Sequence, residues 1–81
     1  MIGETTTRLD TIAAPFGREI KLDDVEFESG MRLLRVRIRE GRRFTILDID
    51  AETATKWSDS MKRWAEHNTI LIQPVGTAPS V

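Results

Sequence analysis

Hydrophobic and polar residues alternate along the first half of the chain, in runs that short turn-forming segments separate. The clearest run covers residues 34–38, where aliphatic residues and arginines take alternate positions, as is typical of a strand with one buried face. Residues 18–27 form an earlier run and residues 44–49 a later one. Segments 28–31 and 40–43 supply the glycines and polar residues of tight turns. The pattern predicts an antiparallel meander of three strands.

The first predicted strand, residues 18–27, changes phase once. Its two-residue hydrophobic period slips by one position at Asp23 and Asp24. A β-bulge at these aspartates would return the apolar residues on both sides to one face. The cross-strand pairs that this arrangement predicts are Phe27 with Arg32, Val25 with Leu34, Asp24 with Arg35, Leu22 with Val36, Ile20 with Ile38 and Glu19 with Arg39.

The periodicity becomes helical after residue 50. The apolar positions that follow the spacing of one helical face are Ala54, Trp57, Met61, Trp64 and Ala65. Asp50 stands directly before this segment, where its carboxylate would cap the first turn and interact with the helix dipole. Asn68 is suited to the left-handed conformation that ends many helices. We therefore predict a helix that begins after Asp50, ends near Asn68 and packs its tryptophan stripe on one face of the sheet.

Together these elements predict one α+β domain of order β-β-β-α over residues 18–69, a three-stranded antiparallel meander with a C-terminal helix on one face. Residues 1–17 are rich in threonine and end in a Pro-Phe-Gly turn, so we interpret them as an N-terminal arm leading into the fold. Residues 70–72 are a candidate for a short fourth strand. The remainder of residues 70–81 is interpreted as a disordered tail.

Length and composition restrict the class of protein. The 81 residues give room for one modest core and exclude a second domain. Twelve basic and 13 acidic residues leave a net charge of −1, which excludes binding of nucleic acid or lipid by bulk positive charge. Cysteine is absent, as suits a reducing compartment. No apolar run reaches the roughly 20 residues of a membrane span, and no secretory signal is recognisable. We expect a cytoplasmic protein without a membrane partner.

Positive charge is nevertheless concentrated locally. Residues 31–43 carry six arginines and one glutamate, whereas residues 19–28 carry five acids and one lysine. One interpretation is a face that binds the phosphates of RNA or DNA weakly and in a salt-dependent manner; the other is a solvated face whose arginines pair with the acids of the neighbouring strand. Aromatic residues for base stacking are few, so nucleic-acid binding is the alternative hypothesis. The candidate patch is Arg35, Arg37, Arg39, Arg42 and Arg43.

Residues with catalytic or metal-binding chemistry do not form a recognisable site. Asp48, Asp50 and Glu52 have the spacing of the first ligands in a calcium loop, but the glycine and glutamate that should follow are missing, and helix capping explains these acids. His67 is the only histidine, at a position where a helix C-terminus favours its charged form. Serines in the predicted helix lack the turn that exposes a nucleophile. We predict no catalytic residue, no metal and no cofactor, and therefore no enzyme.

The third predicted strand carries apolar residues on both sides. Phe44 and Ile46 point one way, Leu47 and Ile49 the other, and one helix covers only one face of a sheet. Small domains seldom leave a contiguous apolar patch in water, so the N-terminal arm, a second copy or another protein would cover the remainder. The sequence thus favours a non-enzymatic module for protein interaction or homodimer formation. The candidate interface is Leu33, Phe44, Ile46, Leu47 and Ile49.

Four segments also suggest a family. They are RLDTIAAPFGR at residues 8–18, LDD at 22–24, FESGMR at 27–32 and RFTILDID at 43–50. Together they resemble a family of small uncharacterised bacterial proteins, a domain of unknown function, over about residues 8–66. The resemblance implies a stand-alone small bacterial protein whose N-terminal arm folds against the sheet. It brings no activity, cofactor or site residue to this chain.

Overall fold

The computed structural model describes residues 3–72 and shows a four-stranded sheet followed by one helix. The elements are β1 (Glu4–Ala14), a short 3-10 turn (Pro15–Gly17), β2 (Arg18–Phe27), β3 (Arg32–Glu40), β4 (Arg43–Ile49) and α1 (Ala51–Ile72). The strands lie in the order β1-β2-β3-β4, and each neighbouring pair is antiparallel. The predicted α+β class and antiparallel meander are confirmed, with a fourth strand at the N-terminal side. The sheet and the helix belong to two compact units that divide after Ala51.

Glycines in the left-handed region close two of the hairpins. In the loop after β2, the Phe27 amide donates to the Met31 carbonyl and the Gly30 amide donates to the Phe27 carbonyl, both at 2.8 Å. Gly30 has φ 94°, so this is a three-residue loop with a bulged glycine. Gly41, at φ 64°, is the first residue of the two-residue turn between β3 and β4, where a type II′ turn requires glycine. Both turns therefore depend on backbone conformations that other residues rarely adopt.

The loop after β2 determines the register of β2 and β3 and corrects part of the prediction. The predicted pairs that are confirmed are Leu22 with Val36, Ile20 with Ile38 and Glu19 with Arg39. The predicted pairs that are wrong are Phe27 with Arg32, Val25 with Leu34 and Asp24 with Arg35. The bulged Gly30 lets the loop close one residue earlier, so β2 pairs with β3 continuously. The observed pairs are Glu26 with Arg32, Val25 with Leu33, Asp24 with Leu34 and Asp23 with Arg35.

The predicted bulge at the aspartates of β2 is thus replaced by an irregularity in β1, between Arg8 and Asp10. Residues 4–14, interpreted from the sequence as part of an arm, form β1 and pair along β2. β-branched threonines fit the pleated surface of a strand. The segment therefore extends the sheet at its edge, instead of lying over one of its faces.

Directly paired residues share a face of the sheet, so the register sorts the side chains into two surfaces. The aliphatic face carries Ile12, Ile20, Leu22, Leu34, Val36, Ile38, Leu47 and Ile49. The charged face carries Arg8, Glu19, Lys21, Asp23, Arg35, Arg37, Arg39 and Asp48, together with Val25, Leu33, Phe44 and Ile46. Val36 and Ile49 are buried on the aliphatic face, and Val25 is buried on the charged face. Hydrophobic burial therefore occurs on both sides of the sheet.

Helix α1 begins at Ala51, directly after Asp50, as the sequence predicted. It continues to Ile72, so the predictions of a helix end near Asn68 and of a short strand at residues 70–72 are wrong. The physical reason for the first error is local. The Asn68 side chain donates a 2.9 Å hydrogen bond to the Trp64 carbonyl one turn earlier, which satisfies its polar group within the helix.

The three large side chains of the predicted apolar stripe of α1 are exposed. Trp57, Met61 and Trp64 have 39%, 55% and 70% of their surfaces exposed. Packing of this stripe on the sheet stays a prediction. The remainder of the predicted tail, residues 73–81, lies outside the described residues.

Candidate functional site

The centre of the charged face is a buried carboxylate. Asp23 has only 1% of its surface exposed and is the one buried charged residue among those described. Arg8 of β1 donates from Nε to one carboxylate oxygen, and Arg37 of β3 donates from Nε to the other at 2.9 Å. The hydrogen bond from Arg8 and the weaker effect of Arg37 hold the pKa of the Asp23 carboxyl below its usual value, although burial alone would raise it. The Asp23 carboxylate thus links β2 to both β1 and β3.

A second set of contacts crosses the whole sheet through Arg35. Its Nε and Nη2 donate to the two carboxylate oxygens of Asp48 on β4, at 2.8 and 3.0 Å, and its Nη1 donates to Glu4 on β1 at 3.4 Å. The bidentate pair lowers the pKa of Asp48 and raises that of Arg35. The Arg35 side chain is 17% exposed. It therefore serves as a structural link between the two edge strands.

These contacts occupy most of the candidate anion patch. Arg35 and Arg37 are held by carboxylates, and Arg39 lies 3.8 Å from Glu19. Within the described part of the chain, Arg42 and Arg43 are the members of the patch that form no ion pair. The arginine ladder is mostly neutralised inside the sheet, so little of its charge is available to an external anion.

The candidate interface residues are divided between the two faces. Leu33, Phe44 and Ile46 lie on the charged face, and Leu47 and Ile49 on the aliphatic face. Leu33 is half-buried near the start of β3, whereas Ile46 lies at the centre of β4 and Phe44 near its start, beside the end of β3, so these three do not form one patch. Ile49 is 7% exposed, whereas Phe44, Ile46 and Leu47 are 67%, 56% and 46% exposed. The exposed members therefore cluster on four consecutive positions of β4.

The position of β4 in the sheet gives this cluster a second property. β4 lies at one edge of the sheet and β1 at the other. An edge strand presents a row of backbone donors and acceptors to any extended chain that approaches it. β4 pairs with β3 at every one of its seven positions, so it is a regular strand. Its outer edge combines backbone groups with exposed apolar side chains on both faces.

Residues with metal-binding chemistry are not brought together in the described part of the chain. Within residues 3–72, the structure contains no group of three or more His, Cys, Asp or Glu side chains placed to hold a metal ion. Asp48 is bound by Arg35, and Glu52 lies 3.5 Å from Lys56 on the helix. In the same range, no helix is both long and apolar enough to cross a membrane.

Sequence reasoning missed two residues of the charged face, Arg8 and Asp23. Arg8 was placed in an arm, and the register error put Asp24 opposite Arg35 in the position that Asp23 occupies. A signal was present, because a glycine as the third loop residue is typical of the three-residue hairpin. With that loop, Asp23 faces Arg35 and lies beside Arg37.

The fold is a small antiparallel meander followed by a C-terminal helix. Residues 3–67 match a family of unknown function, DUF6967, and the chain belongs to this family. The match covers the whole sheet and most of α1, and it confirms the resemblance of the sequence to a domain of unknown function. No curated protein and no solved structure matches the chain. The family assigns no chemistry to the site residues.

Proposed function

We propose that this protein is a non-enzymatic interaction module that self-associates through β4. The observation that carries the proposal is the exposure of Phe44, Ile46 and Leu47, 67%, 56% and 46% respectively, on one strand at the edge of the sheet. Removal of apolar surface from water contributes about 25 cal/mol per Å². Three large side chains in four positions therefore supply a substantial driving force for association.

The surroundings of these side chains suit a buried contact. Asp48, the acid of β4 on the charged face, is bound at both oxygens by Arg35. Arg37, which pairs with Ile46 across β3 and β4, is bound by Asp23. A partner that covers β4 therefore does not leave an unpaired carboxylate in a dry interface, which would be strongly unfavourable.

The test is the solution mass measured by light scattering at two protein concentrations and two salt concentrations. We expect the mass to rise toward that of a dimer with concentration and to be retained at high salt, because an apolar contact is not screened. A matched pair of variants locates the interface. Ile46→Lys should weaken association at least tenfold, whereas Ile12→Lys should leave it unchanged, since Ile12 is 42% exposed on the other edge strand.

Two results would contradict the proposal. One is a monomer at the highest concentration that remains soluble. The other is an equal loss of association in Ile46→Lys and Ile12→Lys, which would show that β4 has no special role. Circular dichroism of both variants checks that the sheet is retained.

Nucleic-acid binding is the competing function, and the contacts argue against it. It would depend on Arg42 and Arg43, whereas Arg35, Arg37 and Arg39 have carboxylates at or below 3.8 Å. Titration of a labelled oligonucleotide at low and high salt distinguishes the two functions. We expect no binding at low salt. Salt-dependent binding that disappears in the double variant Arg42→Gln, Arg43→Gln would favour the competing function.

A further inference from the structure

The backbone of β4 offers a row of hydrogen-bonding groups at the outer edge of the sheet. The two-residue turn closes on Glu40 and Arg43, and such a turn is flanked by a hydrogen-bonded pair. Inward and outward groups alternate along an antiparallel strand, so positions 43, 45, 47 and 49 bond to β3. The amide and carbonyl groups of Phe44, Ile46 and Asp48 therefore point away from the sheet.

We propose that this edge pairs antiparallel with β4 of a second copy, which joins the two sheets into one of eight strands. The inference rests on the proposed function and specifies its partner and mode. Ile46 is the central residue of the seven in β4, and a two-fold axis there pairs all seven positions. The outward residues then form three hydrogen-bonded pairs: Phe44 with the partner's Asp48, Ile46 with the partner's Ile46, and Asp48 with the partner's Phe44. A shift by two residues keeps only two such pairs.

The side chains are compatible with this register. On the charged face, Ile46 meets the partner's Ile46, and Phe44 lies opposite the partner's Asp48. That carboxylate is bound by an arginine of its own chain, so Phe44 does not cover an unpaired carboxylate. Arg43 lies opposite the partner's Ile49 at the end of the paired segment. On the aliphatic face, Thr45 meets the partner's Leu47. Like charges are not opposed at any of the seven positions, which is a requirement for stable cross-strand pairing.

A second copy of β4 fits this edge better than β1 of a second copy does. Pairing of β4 with β1 is heterologous and continues without limit into an open ribbon, whereas pairing of β4 with itself closes after two copies. β1 also has an irregularity between Arg8 and Asp10, and a bulge twists an edge away from an incoming strand. Pairing of β4 with β4 of a second copy is therefore the arrangement that gives a closed dimer.

Disulfide trapping tests the register, because the chain contains no native cysteine. In a hydrogen-bonded antiparallel pair the Cα atoms lie about 5.5 Å apart, within the range for a disulfide. Mild oxidation should therefore cross-link Ile46→Cys at least ten times faster than two controls. In Phe44→Cys the two cysteines would be about 14 Å apart in this register. In Thr11→Cys the cysteine lies on the other edge strand.

Association measurements on Leu33→Glu separate the failure of this inference from the failure of the proposed function. Edge pairing leaves the half-buried Leu33 outside the interface, so the mass should be unchanged. If the wild-type protein associates but Leu33→Glu dissociates it, or if Ile46→Cys cross-links no faster than the controls, the module self-associates through a face and edge pairing is wrong. If the wild-type protein is monomeric, the proposed function and this inference fall together.

Amide hydrogen exchange of the wild-type protein gives a result that does not depend on a variant. The amides of Phe44, Ile46 and Asp48 should exchange about tenfold more slowly at a concentration that favours the dimer than at one that favours the monomer. The amides of Thr45 and Leu47 bond within the sheet and should change less. An equal response of all five amides would contradict edge pairing.

Discussion

The two edges of the sheet differ in how they meet solvent. β1 is an eleven-residue strand with an irregularity between Arg8 and Asp10, and side-chain contacts tie it to both β2 and β3. β4 has seven residues in uninterrupted register with β3 and exposes three large apolar side chains. Charges, bulges and strand twist are the means by which natural sheets protect their edges. By this criterion β1 is a protected edge, whereas β4 has neither a bulge nor a charged pair at its exposed apolar positions.

The charged face explains how β1 keeps its place despite its exposed, threonine-rich sequence. Arg8 donates to the buried Asp23, and Glu4 accepts from Arg35. These contacts substitute for the hydrophobic anchoring that a strand exposed on both faces lacks. In β4 the bidentate pair of Arg35 and Asp48 is the cross-strand ion pair, and Phe44, Ile46 and Leu47 stay exposed.

Removal of the irregularity in β1 should have the largest effect on the difference between the two edges. Deletion of Leu9 brings Arg8 and Asp10 into continuous register with β2, so both edges become regular strands. We expect association to continue beyond the dimer, because a protein with two regular edges can extend in both directions. Light scattering over a concentration series measures this. Leu9→Thr, which removes the apolar side chain but keeps the extra residue, should remain at the dimer; an unchanged mass in the deletion variant would contradict the idea that the bulge protects β1.

The buried carboxylate is the next test, because it holds β1 to the sheet. Asp23→Ala leaves Arg8 and Arg37 without their acceptor, and we expect the free energy of unfolding to fall by about 2 kcal/mol. The neighbouring Asp24 provides a matched control, since it is only partly buried and its contact with the exposed Arg32 is 3.8 Å long. Asp24→Ala should cost less than about 0.5 kcal/mol. Urea denaturation measures both. An equal decrease in the free energy of unfolding for both variants would show that burial does not increase the contribution of Asp23 to stability.

Acid should weaken the same contacts. The pKa values of Asp23 and Asp48 are lowered in the folded state, so the unfolded state binds more protons once the pH falls below the ordinary carboxyl pKa of about 4. The stabilisation is therefore present above that pH and is lost as the pH drops toward the lowered values. Urea denaturation at pH 7, 5 and 3 should show most of the loss in the last step. Asp23→Asn should flatten this dependence, and a variant with the wild-type slope would exclude Asp23 as its source.

The smallest expected effect on stability is that of a substitution in the turn between β3 and β4. Gly41→Ala places a Cβ in open space, with no atom within 4 Å, but at φ 64°. We expect a loss of about 1 kcal/mol, because an alanine pays a steric cost in the left-handed region. Gly3→Ala, where the backbone is not in that region, is the control and should change unfolding by less than about 0.5 kcal/mol. A neutral Gly41→Ala would show that the turn does not limit the stability of the hairpin.

Hydrophobic alternation predicted β2, β3 and β4 because each contributes a row of apolar side chains to a face of the sheet. β1 was missed because an edge strand that is exposed on both sides has little need of that period. Its signal was the run of threonines, but the Pro-Phe-Gly turn that follows led to the interpretation of this segment as an N-terminal arm. The helix start was predicted correctly from Asp50, whereas its end was not, since Asn68 satisfies its side chain within the helix.

The candidate sites were harder to predict than the elements. The arginine ladder was recognised, and so was its pairing with acids of the neighbouring strand. The identity of the central acid was wrong, because the loop after β2 is one residue shorter than predicted. Asp23 therefore pairs with Arg35, where Asp24 was predicted. The apolar residues of β4 were identified as interface candidates, but Leu33 lies apart from them.

By itself, the sequence determined the α+β class, three of the four strands and the start of the helix, because these follow from local periodicity and capping. The tertiary structure decided the position of β1, the pairing of Arg8 and Arg37 with Asp23, and the location of β4 at an edge. Each of these depends on register and strand order, which residues distant in the chain set together. A period of two specifies that a strand exists, whereas its neighbours determine which side chains are buried, which are paired and which are left for a partner.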